Sequence, residues 1–298
     1  MEQGRSVSAS VLRIGREGTD VTVDELAVEE PLEIRLDGER VATTMRTPGH
    51  DDELAAGFCW AEDLLGGADI LRVGRCAAVE ARGGGATEAG AAALTANVVV
   101  VDTGCLAPAP TARLGTTTSS CGWCGTGQLD VLRDRFTPVR QPIVFDLDAL
   151  AAIPDRVRPH QRLFDLTGGV HAAAAFDADG SVLVVREDIG RHNAVDKVVG
   201  RLLLGGALPA AGLGLFVSGR ASFELVQKAW AAGFAALVAV SAPSSLAVDA
   251  ARRANLLLAG FVRPGRVNVY AEPVAGLVPP SDPPAAVRVD GVTAASAR

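Results

Sequence analysis

Leu213-Gly214-Leu215-Phe216-Val217-Ser218-Gly219-Arg220-Ala221-Ser222 is a short apolar run that stops at a polar, glycine-containing turn and reopens as a helix. The pattern returns at Ala236–Val240, which leads through Ser241-Ala242-Pro243-Ser244-Ser245 into a helix predicted over Ser245–Leu258. Continuous apolar runs are how strands covered on both faces read, and strand alternating with helix implies a sheet with helices on either side. Upstream, Val170–Asp177 and Ser181–Glu187 read as two strands around Ala178-Asp179-Gly180, and Asn193–Leu204 reads as a helix ended by Gly205-Gly206. Leu147–Leu163 is mostly helical with interruptions at Pro154 and Pro159, and Phe261–Arg263 with Arg266–Tyr270 forms a hairpin about Pro264-Gly265. Residues 141–278 are therefore expected to form an α/β domain around a central mixed, largely parallel sheet with flanking helices.

The first 140 residues read as a smaller α+β part. Val7–Ile14 is a possible strand in a loosely held start, and residues Leu32–Leu36 alternate, turn at Asp37-Gly38 and run back over Glu39–Met45. Asp51-Asp52 is expected to cap a helix carrying Leu54, Phe58 and Leu65 and ending at Gly66-Gly67, with Cys59 as a buried apolar side chain. Asn97–Asp102 is a valine-rich strand, residues 82–93 a Gly/Ala-rich surface connection, and residues 279–298 a disordered tail. A helix is expected to resume near Gly127, with Leu129, Leu132 and Phe136 on one side, before a linker over Thr137–Pro142.

With 298 residues, 48% of them apolar and 21% charged, the chain can bury a sizeable core. A formal charge of −7 argues against nucleic acid or an anionic membrane as the partner, so any phosphate site must be local. The longest apolar run, Ala229–Val240, is too short to span a bilayer, and the first twenty residues show no secretory signal. A cytoplasmic protein is expected.

Five cysteines are not a disulfide framework. Two of them stand in Ser119-Ser120-Cys121-Gly122-Trp123-Cys124-Gly125, at the end of a long aperiodic segment beginning at Thr103. Loops this long are usually functional or disordered, and glycine after each thiol leaves the backbone free. The pair could be half of a zinc site with Cys105 as a third ligand, a dithiol/disulfide couple or a sulfur carrier. A carrier fits best, because a nucleophilic thiolate on a mobile loop can accept sulfane sulfur, swing and hand it on.

In the second half, three strands end in turns rich in Gly, Ser and Arg: Arg186–Asn193, Ser218–Ser222 and Ser241–Ser245. Ligands of open α/β sheets bind beyond the carboxyl ends of strands, where helix amides attract anions and arginine forks suit phosphate. Three such loops suggest a nucleotide or dinucleotide site using Arg191 and Arg220, with Ser222 and Ser245 as either helix caps or phosphate donors. Glu187 or Asp188 could pair with a guanine edge, although a solvated or Arg-paired carboxylate is the plainer reading. His192 reads as a helix-capping or phosphate-facing side chain, and His171 as a satisfied strand histidine.

Ser120-Cys121-Gly122-Trp123-Cys124-Gly125, Thr167-Gly168-Gly169-Val170-His171, the string Arg186–Lys197, Ser218-Gly219-Arg220 and Ser241-Ala242-Pro243-Ser244 together resemble the FdhD family over about residues 30–272. These are the formate dehydrogenase accessory sulfurtransferases. The resemblance implies a carrier that takes sulfur from a cysteine desulfurase as a persulfide and passes it to the molybdenum cofactor, bis(molybdopterin guanine dinucleotide), before that cofactor enters formate dehydrogenase. It implies Cys121 as the persulfide-bearing residue, Cys124 as a helper, and the cofactor set against Phe261-Val262-Arg263-Pro264-Gly265-Arg266. Arg191, His192, Ser218, Gly219 and Arg220 join that cofactor site on the strand-end reading. The cofactor is then a bound substrate, with no resident cofactor or metal. A homodimer and a core related to the cytidine deaminase fold are further implications, although the deaminase zinc signature itself is absent. The rival reading is a non-catalytic chaperone that binds the molybdenum cofactor and docks it into formate dehydrogenase.

Overall fold

Ser6–Gly15 (β1) and Gly18–Ala27 (β2) pair antiparallel in the computed structural model, which describes residues 4–16, 18–75, 97–109, 136–139 and 145–273. The predicted strand lies inside β1, but its partner was not foreseen from the sequence. Leu12, Ile14, Val21 and Val23 are 60–75% exposed, so this ribbon has no core face to imprint a hydrophobic period on the sequence.

Glu30–Leu36 (β3) and Glu39–Arg46 (β4) form the predicted hairpin. They are followed by Asp51–Ala61 (α1), Arg72–Arg75 (β5) and Val98–Asp102 (β6). The sheet order is β4-β3-β6-β5, with β3 and β6 parallel. Period-two alternation places Leu32, Ile34 and Leu36 on the face that meets Leu54 and Cys59 of α1. Asp51 does not cap the helix as expected. His50 occupies the cap position in a left-handed conformation, and the Asp51 carboxylate instead takes two hydrogen bonds of 3.0 Å from the buried Arg46 guanidinium. The helix stops at Ala61 rather than Gly66, although Leu65 still reaches the core.

The second half begins with Leu147–Val157 (α2), capped by the Asp146 carboxylate, which accepts from Asp148 N at 2.9 Å. The prolines turn the chain through a short 3-10 segment, Arg158–His160, into Arg162–Thr167 (α3). Next come His171–Phe176 (β7), Val182–Asp188 (β8), Arg191–Leu204 (α4), Gly214–Val217 (β9), Phe223–Ala231 (α5), Ala236–Ala239 (β10), Ser245–Ala254 (α6), Leu257–Arg263 (β11) and Arg266–Ala271 (β12). The sheet order is β12-β11-β10-β9-β7-β8. Only β9, β10 and β11 run parallel; β7, β8 and β12 are antiparallel to their neighbours, so the sheet is mixed rather than largely parallel. The helix predicted through Leu258 ends at Ala254, where Asn255 turns left-handed. Leu257–Ala259 then pair with Ala236–Val238 as a buried strand, a distinction that an apolar run does not reveal by periodicity.

Successive residues of the central strands serve opposite faces. Ala173, Leu215, Val217 and Leu237 pack with α4, α5 and α6. Ala174, Phe176, Phe216 and Val238 pack with Phe145, Leu150 and Ile153 of the α2 side. The two sheets are joined where α1 lies on α4: a Cβ at Gly57 would stand 1.9 Å from the Asp196 carbonyl oxygen, so only glycine admits this approach. Among the described residues no helix is long and apolar enough to cross a membrane.

Candidate functional site

The edge of the central sheet is built from strand ends that face the same way: the start of β7, the ends of β8, β9, β10 and β11, and the turn into β12. Ser218 pins the centre of that edge, its N–H donating to Ala172 O and its Oγ accepting from Ala172 N, both at 2.9 Å. Gly219 follows, with its carbonyl accepting from Ser241 N at 3.2 Å. A Cβ at position 219 would meet the His171 imidazole at 3.4 Å. Arg220 projects from this turn, exposed and without an ion-pair partner among the described residues.

The β11–β12 turn lies on the same edge. Phe261 adopts a left-handed φ of 51° at an irregularity in the strand pairing, and its N–H donates to Ser241 O at 3.2 Å. Val262 is fully buried in the core, so its side chain fixes the turn from below. Arg263, Pro264, Gly265 and Arg266 are exposed, and neither arginine has a described partner. Two free guanidinium forks on a two-residue turn, with Arg220 on the same edge, make an anion-attracting rim.

The string Arg186–Lys197 is mostly consumed by the fold. Arg186 grips Glu53 of α1 with two bonds of 2.5 and 2.8 Å. The Glu187 carboxylate accepts from Leu163 N and Phe164 N at 2.9 and 2.8 Å, satisfying the free amides that open α3. Asp188 pairs with buried Lys197 and also accepts from Gly190 N and Asn193 Nδ2. Neither carboxylate is free for a base edge. What remains open is Arg191, whose Nε is buried without a hydrogen bond, and His192, whose Nε2 is likewise unpaired with the Glu224 carboxylate 3.9 Å away. Burial lowers the pKa of both His192 and His171 below the usual imidazole value. His171 lies in the β7–β8 ladder as the strand histidine expected, and its half-buried imidazole makes no hydrogen bond among the described residues.

Ser222 precedes α5 but makes no capping bond, and its Oγ is buried without a partner. Ser244, not Ser245, caps α6, its Oγ accepting from Ala247 N at 3.2 Å. Beside the edge, a cleft of about 520 Å³ opens between the α2–α3 corner and the strand ends, reaching His171, Ser218, Phe216 and Val240 from Asp155, Gln161 and Phe164. Sequence reasoning missed this helical wall, for which Pro154 and Pro159 are the only local sign.

Cys121, Cys124 and residues 110–135 around them, which hold most of the predicted loop and helix, lie outside the described residues, as do the 82–93 connection and the 279–298 tail. Of the other cysteines, Cys59 is buried as expected and Cys105 is exposed.

A family model described as the FdhD/NarQ family matches residues 27–275. "Sulfur carrier protein FdhD" of Streptomyces avermitilis is 51% identical over 268 residues, covering 88% of this chain and 92% of that protein. The protein of the same name from Streptomyces coelicolor is 50% identical over 271 residues, with the same coverage. That from Mycobacterium tuberculosis is 48% identical over 257 residues, covering 83% and 90%. A solved structure from Desulfotalea psychrophila, described as a candidate formate dehydrogenase accessory protein, superposes with a TM-score of 0.69 at 22% identity over 90% of this chain and 98% of that one. At that identity the likeness bears on the fold alone.

Proposed function

The chain belongs to the FdhD/NarQ family, and from that premise we propose that it is a persulfide-forming sulfur carrier that serves formate dehydrogenase through its molybdenum cofactor. The observation that carries this reading is similarity along nearly the whole chain to relatives called sulfur carrier proteins. The geometry adds an anion-attracting rim at Arg220, Arg263 and Arg266, of the kind a guanine dinucleotide with its diphosphates requires.

In the proposed cycle a cysteine desulfurase offers a persulfide. The Cys121 thiolate attacks its outer sulfur, the sulfur–sulfur bond breaks and the donor's thiolate leaves, so Cys121 now carries the persulfide. The bis(molybdopterin guanine dinucleotide) cofactor is the second substrate, held at the edge formed by Arg191, His192, Ser218, Gly219, Arg220 and the Phe261–Arg266 turn. Cys124 thiolate attacks the inner sulfur of the Cys121 persulfide, closing a disulfide and releasing hydrosulfide, a soft anion suited to molybdenum. A thiol reductant then reopens the pair. The cycle places the chain in the cytoplasm as a homodimer, with desulfurase and formate dehydrogenase as successive partners.

Mass spectrometry after incubation with desulfurase and cysteine tests the first step. One added sulfur is expected on wild type and none on Cys121→Ala; an unloaded wild type, or a fully loaded variant, defeats the reading. Cells lacking their own carrier give the second readout, since a mere docking chaperone would restore formate dehydrogenase activity with both cysteines replaced.

A further inference from the structure

The first turns of α4 and α5 meet beside the strand-end edge, and His192, Glu224 and Ser222 gather there. His192 Nε2 is buried, makes no hydrogen bond among the described residues and lies 3.9 Å from Glu224 Oε2. Only 16% of the His192 side chain is exposed, against 49% of that of Glu224. Ser222, at the cap position of α5, makes no capping bond. A nearly buried imidazole thus has a half-exposed carboxylate between one of its nitrogens and water.

A latch between two helices is better made by a permanent cation, and two of them, Lys228 and Arg191, lie within electrostatic range of His192. Lys228 is spent on Asp196 and Glu62, and Arg191 Nε makes no hydrogen bond. The Glu224 carboxylate is left to the imidazole. A carboxylate behind one ring nitrogen fixes the N–H there and leaves the other nitrogen as the acceptor. Glu224 suits that task, because its pKa is drawn down to about 2, chiefly by His192, and the group stays ionised near neutral pH. Around His192, burial, Lys228 and Arg191 disfavour the imidazolium while Glu224 favours it. On the sheet side stands His171 of β7, which feels His192, Arg191 and Asp188. The contact of 3.9 Å is longer than a hydrogen bond, as catalytic contacts often are before a substrate arrives.

We propose that His192 is the base that takes the proton from hydrosulfide as the sulfur is handed to the cofactor, and that Glu224 is its positioning residue, holding Nε2–H toward the carboxylate so that Nδ1 serves the substrate. The inference rests on the carrier reading above and deepens it. Hydrosulfide gives a sulfur lone pair to the molybdenum of the cofactor, which is substrate here, and a metal ion makes a bound thiol group strongly acidic. The S–H bond then breaks with both electrons left on sulfur, the proton passes to Nδ1, and no electron changes hands. Glu224 stabilises the imidazolium, whose proton returns to water on the exposed side of the carboxylate.

The test is activation of sulfur-free formate dehydrogenase by the full chain, loaded with persulfide and supplied with bis(molybdopterin guanine dinucleotide). Its initial rate is followed from about pH 5.5 to about pH 8.5, on either side of an ordinary imidazole pKa. Wild type is expected to speed up through one ionisation and then level off. His192→Gln should be slower by about a hundredfold or more and lose that ionisation. Glu224→Gln should be slower by about tenfold and shift the ionisation to lower pH, because a charge that favours the imidazolium is gone; Glu224→Asp should recover most of both. Nitrogen-15 NMR should find the Nε2–H tautomer at His192 in wild type and a shift toward Nδ1–H in Glu224→Gln. A wild-type rate and profile in His192→Gln, an ionisation unmoved in Glu224→Gln, or Nδ1–H as the wild-type tautomer overturns the proposal. Thermal melts check that the variants fold, and should one not, the wild-type tautomer decides. Persulfide loading and release of the sulfur to dithiothreitol are read in parallel. An unloaded wild type sinks the carrier reading, whereas normal loading with His192→Gln at the wild-type rate sinks the base assignment alone.

Discussion

Lys197 Nζ lies 2.6 Å from Asp188 Oδ2, with both side chains fully buried. The ammonium also donates to Thr47 O at 2.9 Å, and Asp188 accepts from Thr47 N at 3.2 Å, so the pair clamps the residue after β4 to the end of β8 and the middle of α4. Removing one member leaves the other charge uncompensated. Lys197→Met is expected to cost about 3–5 kcal/mol, read by urea unfolding. The double variant Lys197→Met/Asp188→Asn should recover part of that loss. If the single change is neutral, the clamp does not hold the two halves together.

The crossing of α1 and α4 makes a sharper steric prediction. A Cβ at Gly200 would fall 1.8 Å from the Glu53 carbonyl oxygen, and one at Gly57 1.9 Å from the Asp196 carbonyl oxygen. Because the obstacles are backbone, Gly57→Ala and Gly200→Ala should each destabilise by about 1–3 kcal/mol or more. Gly74, whose Cβ would meet nothing within 4 Å, supplies the control: Gly74→Ala should stay within about 0.5 kcal/mol of wild type.

Thiol reactivity should separate two cysteines cleanly. Burial pushes the Cys59 thiol up to about 12, and its side chain is inaccessible. Iodoacetamide at pH 8 is expected to modify the exposed Cys105 in the folded protein and to reach Cys59 only after denaturation. Peptide mapping of the two states checks this, and native labelling of Cys59 would contradict the packing described.

Asp196 supplies a pH signature. Its carboxylate is wholly buried against Lys228 Nζ at 2.8 Å, and burial pushes its pKa up from 3.8 to about 6. The folded state therefore holds this proton more tightly than the unfolded chain does. The group's contribution favours folding most below its unfolded value and fades as the pH rises through about 6. Relative to Asp196→Asn, which does not titrate, wild type should lose stability between pH 4 and pH 7. Parallel curves for the two proteins over that range would refute the assignment.

The phosphate-facing role proposed for the rim is testable by salt. Replacing Arg263 and Arg266 together by Ala should weaken guanosine diphosphate binding and flatten its dependence on ionic strength, because two exposed charges, unpaired among the described residues, are lost. Unchanged affinity and slope would move the phosphates elsewhere.

The sequence made the α/β half legible wherever burial imposes a pattern. Leu213–Val217 and Ala236–Val240 could be read because both faces of those strands are covered, and β3 because only one is. The β1–β2 ribbon escaped because it buries no face along most of its length. At the site, the strand-end loops were legible as loops, but their chemistry was not. Glu187 and Asp188 read as possible base-pairing carboxylates and prove to be spent on α3 and Lys197. Partners 24 and 9 residues away decide that, and local spacing does not encode them. Asp155 and Gln161 carry no motif at all; only the folding of the Pro154–Pro159 corner over β9 and β10 brings them to one cleft.

The two oxygens of Glu187 tie the first turn of α3 to the end of β8. Phe164 is therefore anchored by its own backbone, and the aromatic side of the cleft is already in position before anything arrives. Little conformational entropy is left to be lost there on binding. A wall set in advance in this way would select what enters by shape and not by closing around it.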